Sequence, residues 1–122
     1  MKKRILIADD NIKFRRSAKA ILQKAGYIVN VASDGKEVLD ILKNKKHDVV
    51  LLDIIMPVLT GLEACRKIKK KRKTKNTIVI MLSGNVTEIE IGFDYGADDC
   101  FLKPVNWETV FKKIKNLTGE SD

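Results

Sequence analysis

Five short apolar runs, each followed by a helical pattern, constrain this chain more than any other feature of its sequence. Arg4 to Ala8, Tyr27 to Val31, Val49 to Asp53, Thr77 to Ser83 and Cys100 to Lys103 read as strands, and three of them are nearly all apolar. A strand with one wet face alternates apolar and polar residues, so continuous apolar runs predict a sheet covered on both faces. Phe14, Ala18, Ile21, Leu22 and Ala25 recur at helical spacing, and Gly26 then supplies a stop. Val38, Leu39 and Leu42 define a second helix opened by Asp34, and Leu62, Cys65 and Ile68 a third from about Gly61. Val110, Phe111, Ile114 and Leu117 define the last, with Asn106 as its N-cap. Five βα units in series predict a parallel α/β sheet, and 122 residues are enough for one domain, 1–122, with its own core.

The fourth helical segment, about Val86 to Tyr95, is the weak one. Val86, Thr87, Ile89 and Ile91 are β-branched and Gly92 interrupts the run, so its helix propensity is poor.

Composition closes off several classes. No apolar run approaches the roughly 18 residues of a membrane span, and the stretch from Ile5 to Ala8 is too short for a secretory signal, so no membrane partner and a cytoplasmic location are expected. Cys65 and Cys100 show no metal-ligand spacing and read as reduced core thiols. The single histidine, His47, sits in a Lys-rich loop and reads as a solvated side chain rather than a general base.

Ligands of an open parallel sheet bind at the carboxyl ends of its strands. There the first strand carries Asp9 and Asp10, the third Asp53, the fourth Ser83 and Gly84, and the fifth Lys103 with Pro104. Any one of these has an ordinary explanation: an Asp-Asp pair serves as a helix cap, an aspartate as a turn residue. Together they place three carboxylates, a hydroxyl and an ammonium on one rim. Crowded carboxylates call for a hard cation, and an all-oxygen donor set suits Mg²⁺, with Mn²⁺ the other candidate. Lys103 adds a second positive charge against either Asp53 or an incoming anion. Such a site fits a phosphoryl group, a carboxylate can itself be the nucleophile, and Gly84 leaves room for phosphoryl oxygens beside Ser83.

The stretches ILIADD, LLDIIMP with Gly61 four residues beyond the proline, IVIMLSG and GADDCFLKP make the chain resemble a receiver domain of the two-component response regulators over essentially its full length. The resemblance implies a flavodoxin-like, doubly wound five-stranded sheet of order 2-1-3-4-5. It makes Asp53 the phosphorylated aspartate, supplied by a sensor histidine kinase or a histidine phosphotransfer protein. Asp10 would bind Mg²⁺ directly and Asp9 largely through water, with Asp53 and the backbone carbonyl of Ile55 completing the ligands. Ser83 matches the switch hydroxyl and Lys103 the lysine that pairs with the phosphoryl group, and the bond before Pro104 is expected to be cis. Ile55 and Asn85 are expected to flank the hydrolytic water. The output face would include Ile89, Ile91 and Cys100 and would meet a downstream protein or domain. Cys100 departs from the pattern, because receivers usually carry Tyr or Phe three residues before the lysine. Phe101 is in the wrong register to replace it, so output is expected to depend on displacement of the fourth helix alone.

Two other functions fit less well. The net charge of +8 and the run KKKRKTK, Lys69 to Lys75, suggest nucleic acid, but no aromatic residues are interleaved and the run falls at the amino-terminal end of the fourth strand. It reads as a solvated loop, and direct nucleic-acid binding is disfavoured. No GxGxxG, GxxxxGK[ST] or GxSxG occurs, and Ile-Ile-Met comes directly after Asp53, which argues against an enzyme turning over an external substrate. The domain is expected to catalyse only its own phosphorylation and dephosphorylation, either as a stand-alone receiver or as part of a longer regulator or hybrid kinase. The charge is uneven: residues 64–76 carry eight basic groups and no acid, whereas residues 84–102 carry five acids and no lysine or arginine. A partner of that acidic face is expected to be basic or apolar.

Overall fold

The computed structural model describes residues 2–120. Strands β1 (Arg4–Ala8), β2 (Ile28–Ala32), β3 (Val49–Asp53), β4 (Ile78–Ser83) and β5 (Asp99–Leu102) alternate with helices α1 (Ile12–Lys24), α2 (Gly35–Asn44), α3 (Gly61–Lys70), α4 (Val86–Asp94) and α5 (Trp107–Thr118). All pairings are parallel, in the order β2-β1-β3-β4-β5. The chain first moves outward from β1 to β2 and then returns to the other side of β1 for β3. That reversal opens a crevice above the carboxyl ends of β1 and β3.

Strand periodicity splits the core into two layers. Leu6, Val50, Leu52, Val79 and Met81 face α2 and α3, where Val38, Leu42, Ala64, Cys65 and Ile68 bury. Ile5, Ile7, Val49, Leu51, Ile80 and Leu82 face the other way, against Ala18 and Leu22 of α1 and Val110 and Ile114 of α5. Each buried aliphatic side chain contributes about 1.5–3 kcal/mol, so the central strands are the best anchored part of the fold.

Strand ends shift by one residue from the sequence reading. β2 and β4 begin at Ile28 and Ile78 rather than at Tyr27 and Thr77, and β5 runs from Asp99 to Leu102. Lys103 still donates its N–H to the Ser83 carbonyl at 2.7 Å, but the next residue, Pro104, has no N–H, and the peptide bond between them is cis. The cap of α1 is Asn11, which accepts from Phe14 N at 3.1 Å, so neither aspartate of the Asp9-Asp10 pair is consumed by capping. Gly92, unexplained by propensity, sits where a Cβ would lie 3.0 Å from both Cys100 Sγ and Met81 Sδ. The glycine lets α4 lie close to the sheet.

Two expectations about polar residues fail. His47 is 1% exposed rather than solvated, its Nδ1 3.0 Å from the Lys45 carbonyl and its Nε2 2.8 Å from Asn30 Oδ1. The ring ties the loop before β3 to β2. Within the basic run, Lys69 belongs to the last turn of α3 and donates to Asp98 Oδ2 and to the Thr77 carbonyl, both at 2.7 Å. Among the described residues no helix is long and apolar enough to cross a membrane.

Candidate functional site

β1 and β3 end side by side, β1 running into Asp9 and Asp10 and β3 ending on Asp53. One carboxylate oxygen from each of Asp9, Asp10 and Asp53 lies within 4.8 Å of the other two. The three are not equivalent. Asp9 is 1% exposed and makes the strongest contacts: Oδ2 accepts from Lys103 Nζ at 2.6 Å and Oδ1 from Asn11 N at 2.9 Å, while Arg15 donates to its carbonyl. Asp53 is partly buried, and Asp10 is exposed.

Lys103 makes the ion pair with Asp53 that the sequence allowed, and also a shorter one with Asp9 that the sequence did not indicate. It lies 3.8 Å from Asp53 Oδ1 but 2.6 Å from Asp9, because the most buried carboxylate has the greatest need of a counter-ion. Its ammonium also sits 4.3 Å from the centre of the Phe14 ring, a cation–π contact that holds the side chain over the crevice. Phe14, which the sequence suggested only as a helix core residue, is thus part of the site's support. It stacks in turn on Trp107 of α5.

Three carboxylates against one ammonium leave the rim short of positive charge. Burial, followed by the charge of Asp9, pushes the Asp53 carboxyl up to about 6 despite the opposing pull of Lys103. Asp10 raises it further, and a hydrogen bond from the Ile55 backbone lowers it. Hard oxygen donors crowded together with an uncompensated negative charge fit a divalent cation such as Mg²⁺. Ile55 itself is 60% exposed on the loop that leaves β3. That loop is held tightly: Gly61 N donates to the Ile54 carbonyl at 2.8 Å, and a Cβ at position 61 would collide with the Asp53 carbonyl oxygen. Val58 closes a γ-turn at φ 68°, with Leu59 N bonded to the Pro57 carbonyl, a strained conformation for a β-branched residue.

Ser83, at the end of β4, is 1% exposed. Its Oγ accepts from Asn85 N at 3.0 Å and donates to Glu88 Oε1 at 2.5 Å. Asn85 is the N-cap of α4, its Oδ1 accepting from Thr87 N and Glu88 N, so this side chain is engaged with the helix. At Gly84 a Cβ would meet nothing within 4 Å, which leaves the space beside Ser83 open. The sequence reading missed Glu88, although Asn85-x-x-Glu88 is the spacing of a helix capping box and was there to be read.

On the expected output face, Ile91 is exposed and Ile89 packs partly against the core. Cys100 does not belong to an exposed face: it is 8% exposed, lies in the core layer beneath α4, and burial pushes its thiol up to about 11. Its neighbour Phe101 packs in the opposite layer. The exposed apolar residues nearby are Val86, Phe93 and Leu102.

Residues 5–115 match the response regulator receiver domain family. The response regulator MprA of Mycobacterium sp. (strain KMS) is 38% identical over 114 residues, which are 93% of this chain and 50% of that protein. The chain thus spans about half the length of the curated relatives it matches. The chemotaxis response regulator CheY4 of Vibrio cholerae superposes with a TM-score of 0.88 at 32% identity, covering 96% of this chain and 99% of that one. The response regulator TrrA of Thermotoga maritima, solved in complex with Mg²⁺ and BeF, gives 0.87 at 34% identity over the same shares.

Proposed function

The chain belongs to the response regulator receiver domain family, and from that membership we propose that residues 1–122 form a single receiver whose phosphoacceptor is Asp53. The observation that carries this reading is the convergence of Asp9, Asp10 and Asp53 at the switch point of the sheet, facing one lysine. At about 6 the Asp53 carboxyl is still ionised at neutral pH, and so nucleophilic. One of its oxygens attacks the phosphorus of a phosphohistidine on a sensor kinase or phosphotransfer protein. The P–O bond forms as the P–N bond breaks, the electron pair returns to the imidazole nitrogen, and an acyl phosphate results. Asp9, Asp10, Asp53 and the Ile55 carbonyl would hold Mg²⁺ or Mn²⁺, which neutralises charge on the transferring oxygens.

Lys103 moves from Asp9 towards the new phosphoryl dianion, and the Ser83 hydroxyl donates to one of its oxygens, with Gly84 leaving space. Water reaches the phosphorus from the open side between Ile55 and Asn85. An Asn85→Ser variant, which keeps a capping group, changes the lifetime of the phosphorylated form; an unchanged lifetime removes Asn85 from that role. With Cys100 small and buried under Gly92, the signal passes through displacement of α4, and a phosphoryl-mimic structure with α4 unmoved rules that out. The face formed by α4, β5 and α5 then presents Val86, Ile91, Phe93 and Leu102 among the five acids of residues 84–102, for a basic or apolar output partner. Receivers are signalling domains rather than metabolic enzymes, and the chemistry here stays confined to Asp53 itself. The same reading makes the domain cytoplasmic. Incubation with Mg²⁺ and acetyl phosphate tests it: intact mass shows one phosphoryl adduct on the wild type and none on Asp53→Ala. No adduct on the wild type overturns the reading.

A further inference from the structure

In a capping box, the acid at the third helical position accepts directly from the backbone N–H of the N-cap residue. α4 has the sequence for it, with Asn85 as N-cap and Glu88 three residues on, yet the direct bond is not made. The Ser83 hydroxyl stands between them. Asn85 N donates to Ser83 Oγ at 3.0 Å, and Ser83 Oγ donates to Glu88 Oε1 at 2.5 Å.

A serine hydroxyl has one proton. Given to the Glu88 carboxylate, it cannot at the same time be given to an anion on Asp53. The Ser83 side chain is buried, so its hydroxyl must keep a partner in either state. We propose that Glu88 is a positioning residue that holds the Ser83 hydroxyl in the unphosphorylated state and competes with the phosphoryl group for its single proton. The inference rests on Asp53 being the phosphoacceptor.

Release of Glu88 leaves a bistable helix start. Once the Ser83 proton turns to the phosphoryl oxygens, the Glu88 carboxylate loses its donor, and Asn85 N–H is the nearby donor that can close the capping box with it directly. The first turn of α4 therefore has two hydrogen-bonding arrangements, one through Ser83 and one without it. The rest of the helix does little to resist the change: it is rich in β-branched residues, has no basic group in its last turn, and meets the sheet closely at Gly92. Glu88 thereby links the chemistry at the strand ends to the position of α4 with no aromatic side chain between them.

The test is titration of the full chain with beryllofluoride in the presence of Mg²⁺, followed by calorimetry. Glu88→Ala is expected to bind about fivefold more tightly than wild type, the scale of one net hydrogen bond. Glu88→Gln, which keeps an acceptor but loses the charge, falls between the two. Glu90→Ala removes the same charge from an exposed neighbour and is expected to stay within about twofold of wild type. In a Ser83→Ala background, Glu88→Ala is expected to give no gain beyond that of Glu90→Ala, because there is no proton left to compete for. Wild-type affinity in Glu88→Ala, or an equal gain with and without Ser83, overturns the proposal. Wild type that binds no beryllofluoride, or that binds it equally well as Asp53→Asn, is the separate failure of the phosphoacceptor reading and removes the premise along with it.

Discussion

The two ends of the sheet treat their polar groups in opposite ways. At the amino ends of the strands each such group has its partner within the chain. Asp48 accepts from Arg4 N at 2.8 Å, Asp98 accepts from Val79 N and Lys69, and both ring nitrogens of His47 are in contact with oxygens. At the carboxyl ends three carboxylates share one ammonium, and that ammonium is held by Asp9. The first arrangement is stitching, complete in itself. The second is held out of balance by the fold, with a donor set that suits an external cation. A cluster of polar groups thus points to function when its own chain leaves it undercompensated.

The largest expected effect breaks this contrast at the carboxyl end. Chelation of divalent cations by EDTA should lower the rate of phosphoryl uptake from acetyl phosphate by on the order of a hundredfold or more, read as the rate of adduct formation by intact mass. Substitutions at the amino end should leave that rate unchanged. His47→Ala tests the second half: it opens a cavity and leaves Asn30 without its ring partner, so about 3 kcal/mol of stability should be lost in urea unfolding. A normal rate of uptake per folded molecule should accompany the loss.

Opposite pH dependences sharpen the comparison. The Asp53 carboxyl is raised from its ordinary value to about 6, so the metal-free fold is most stable with it protonated. That contribution is full below about 4 and is lost as pH rises through 6, a penalty of about 2 kcal/mol at neutral pH once partial solvent screening is allowed for. Asp53→Asn should therefore stabilise the metal-free protein by about that amount at pH 7, with the advantage fading as pH falls from 6 to 4. His47 behaves in the reverse sense. Burial, with the charges of Arg4 and Lys45, holds its pKa below the ordinary value, outweighing the Lys45 carbonyl and Asp48. Its contribution is full above about 6.5 and is lost as pH falls below that. Urea titrations of wild type and the two variants across pH 4–8 separate the slopes; a wild-type profile unchanged by either substitution contradicts both assignments.

The rim was legible in the sequence because strand ends are where apolar runs break off, and the residue at each break is local information. Asp9, Asp10, Asp53, Ser83 and Lys103 could be placed on one edge without knowing a single contact. Partner choice was not legible. Lys103 pairs with both but lies closer to Asp9 than to Asp53, and the Asp9 side chain is 1% exposed against 13% for Asp53, a difference set by how the crevice closes. His47 looks solvated among lysines, and its burial rests on the Lys45 carbonyl and on Asn30, seventeen residues away on β2. Cys100 could be assigned its face by alternation, but its depth beneath α4 depends on Gly92, whose lack of a side chain was read only as weak propensity.

The basic run shows the same limit at the smallest energies. From Lys69 to Lys75 the sequence offers six cations with nothing to rank them. The fold ranks them by geometry. α3 ends at Lys70, so Lys69 still points along the helix towards the start of β5, where its ammonium reaches Asp98 and the Thr77 carbonyl with the side chain only 21% exposed. Asp98 in turn accepts from Val79 N, so this lysine closes a link between α3, β4 and the approach to β5. Lys71 and Lys75 are exposed and contribute little beyond long-range charge. Lys69→Ala should cost about 1–2 kcal/mol, the worth of a charge-assisted hydrogen bond in a partly buried setting. Lys71→Ala and Lys75→Ala should each stay within about 0.5 kcal/mol of wild type. Thermal unfolding in low and high salt distinguishes them: the Lys69 deficit should persist at about 0.5 M salt, whereas a deficit that vanished there would make Lys69 one more solvated charge of the run.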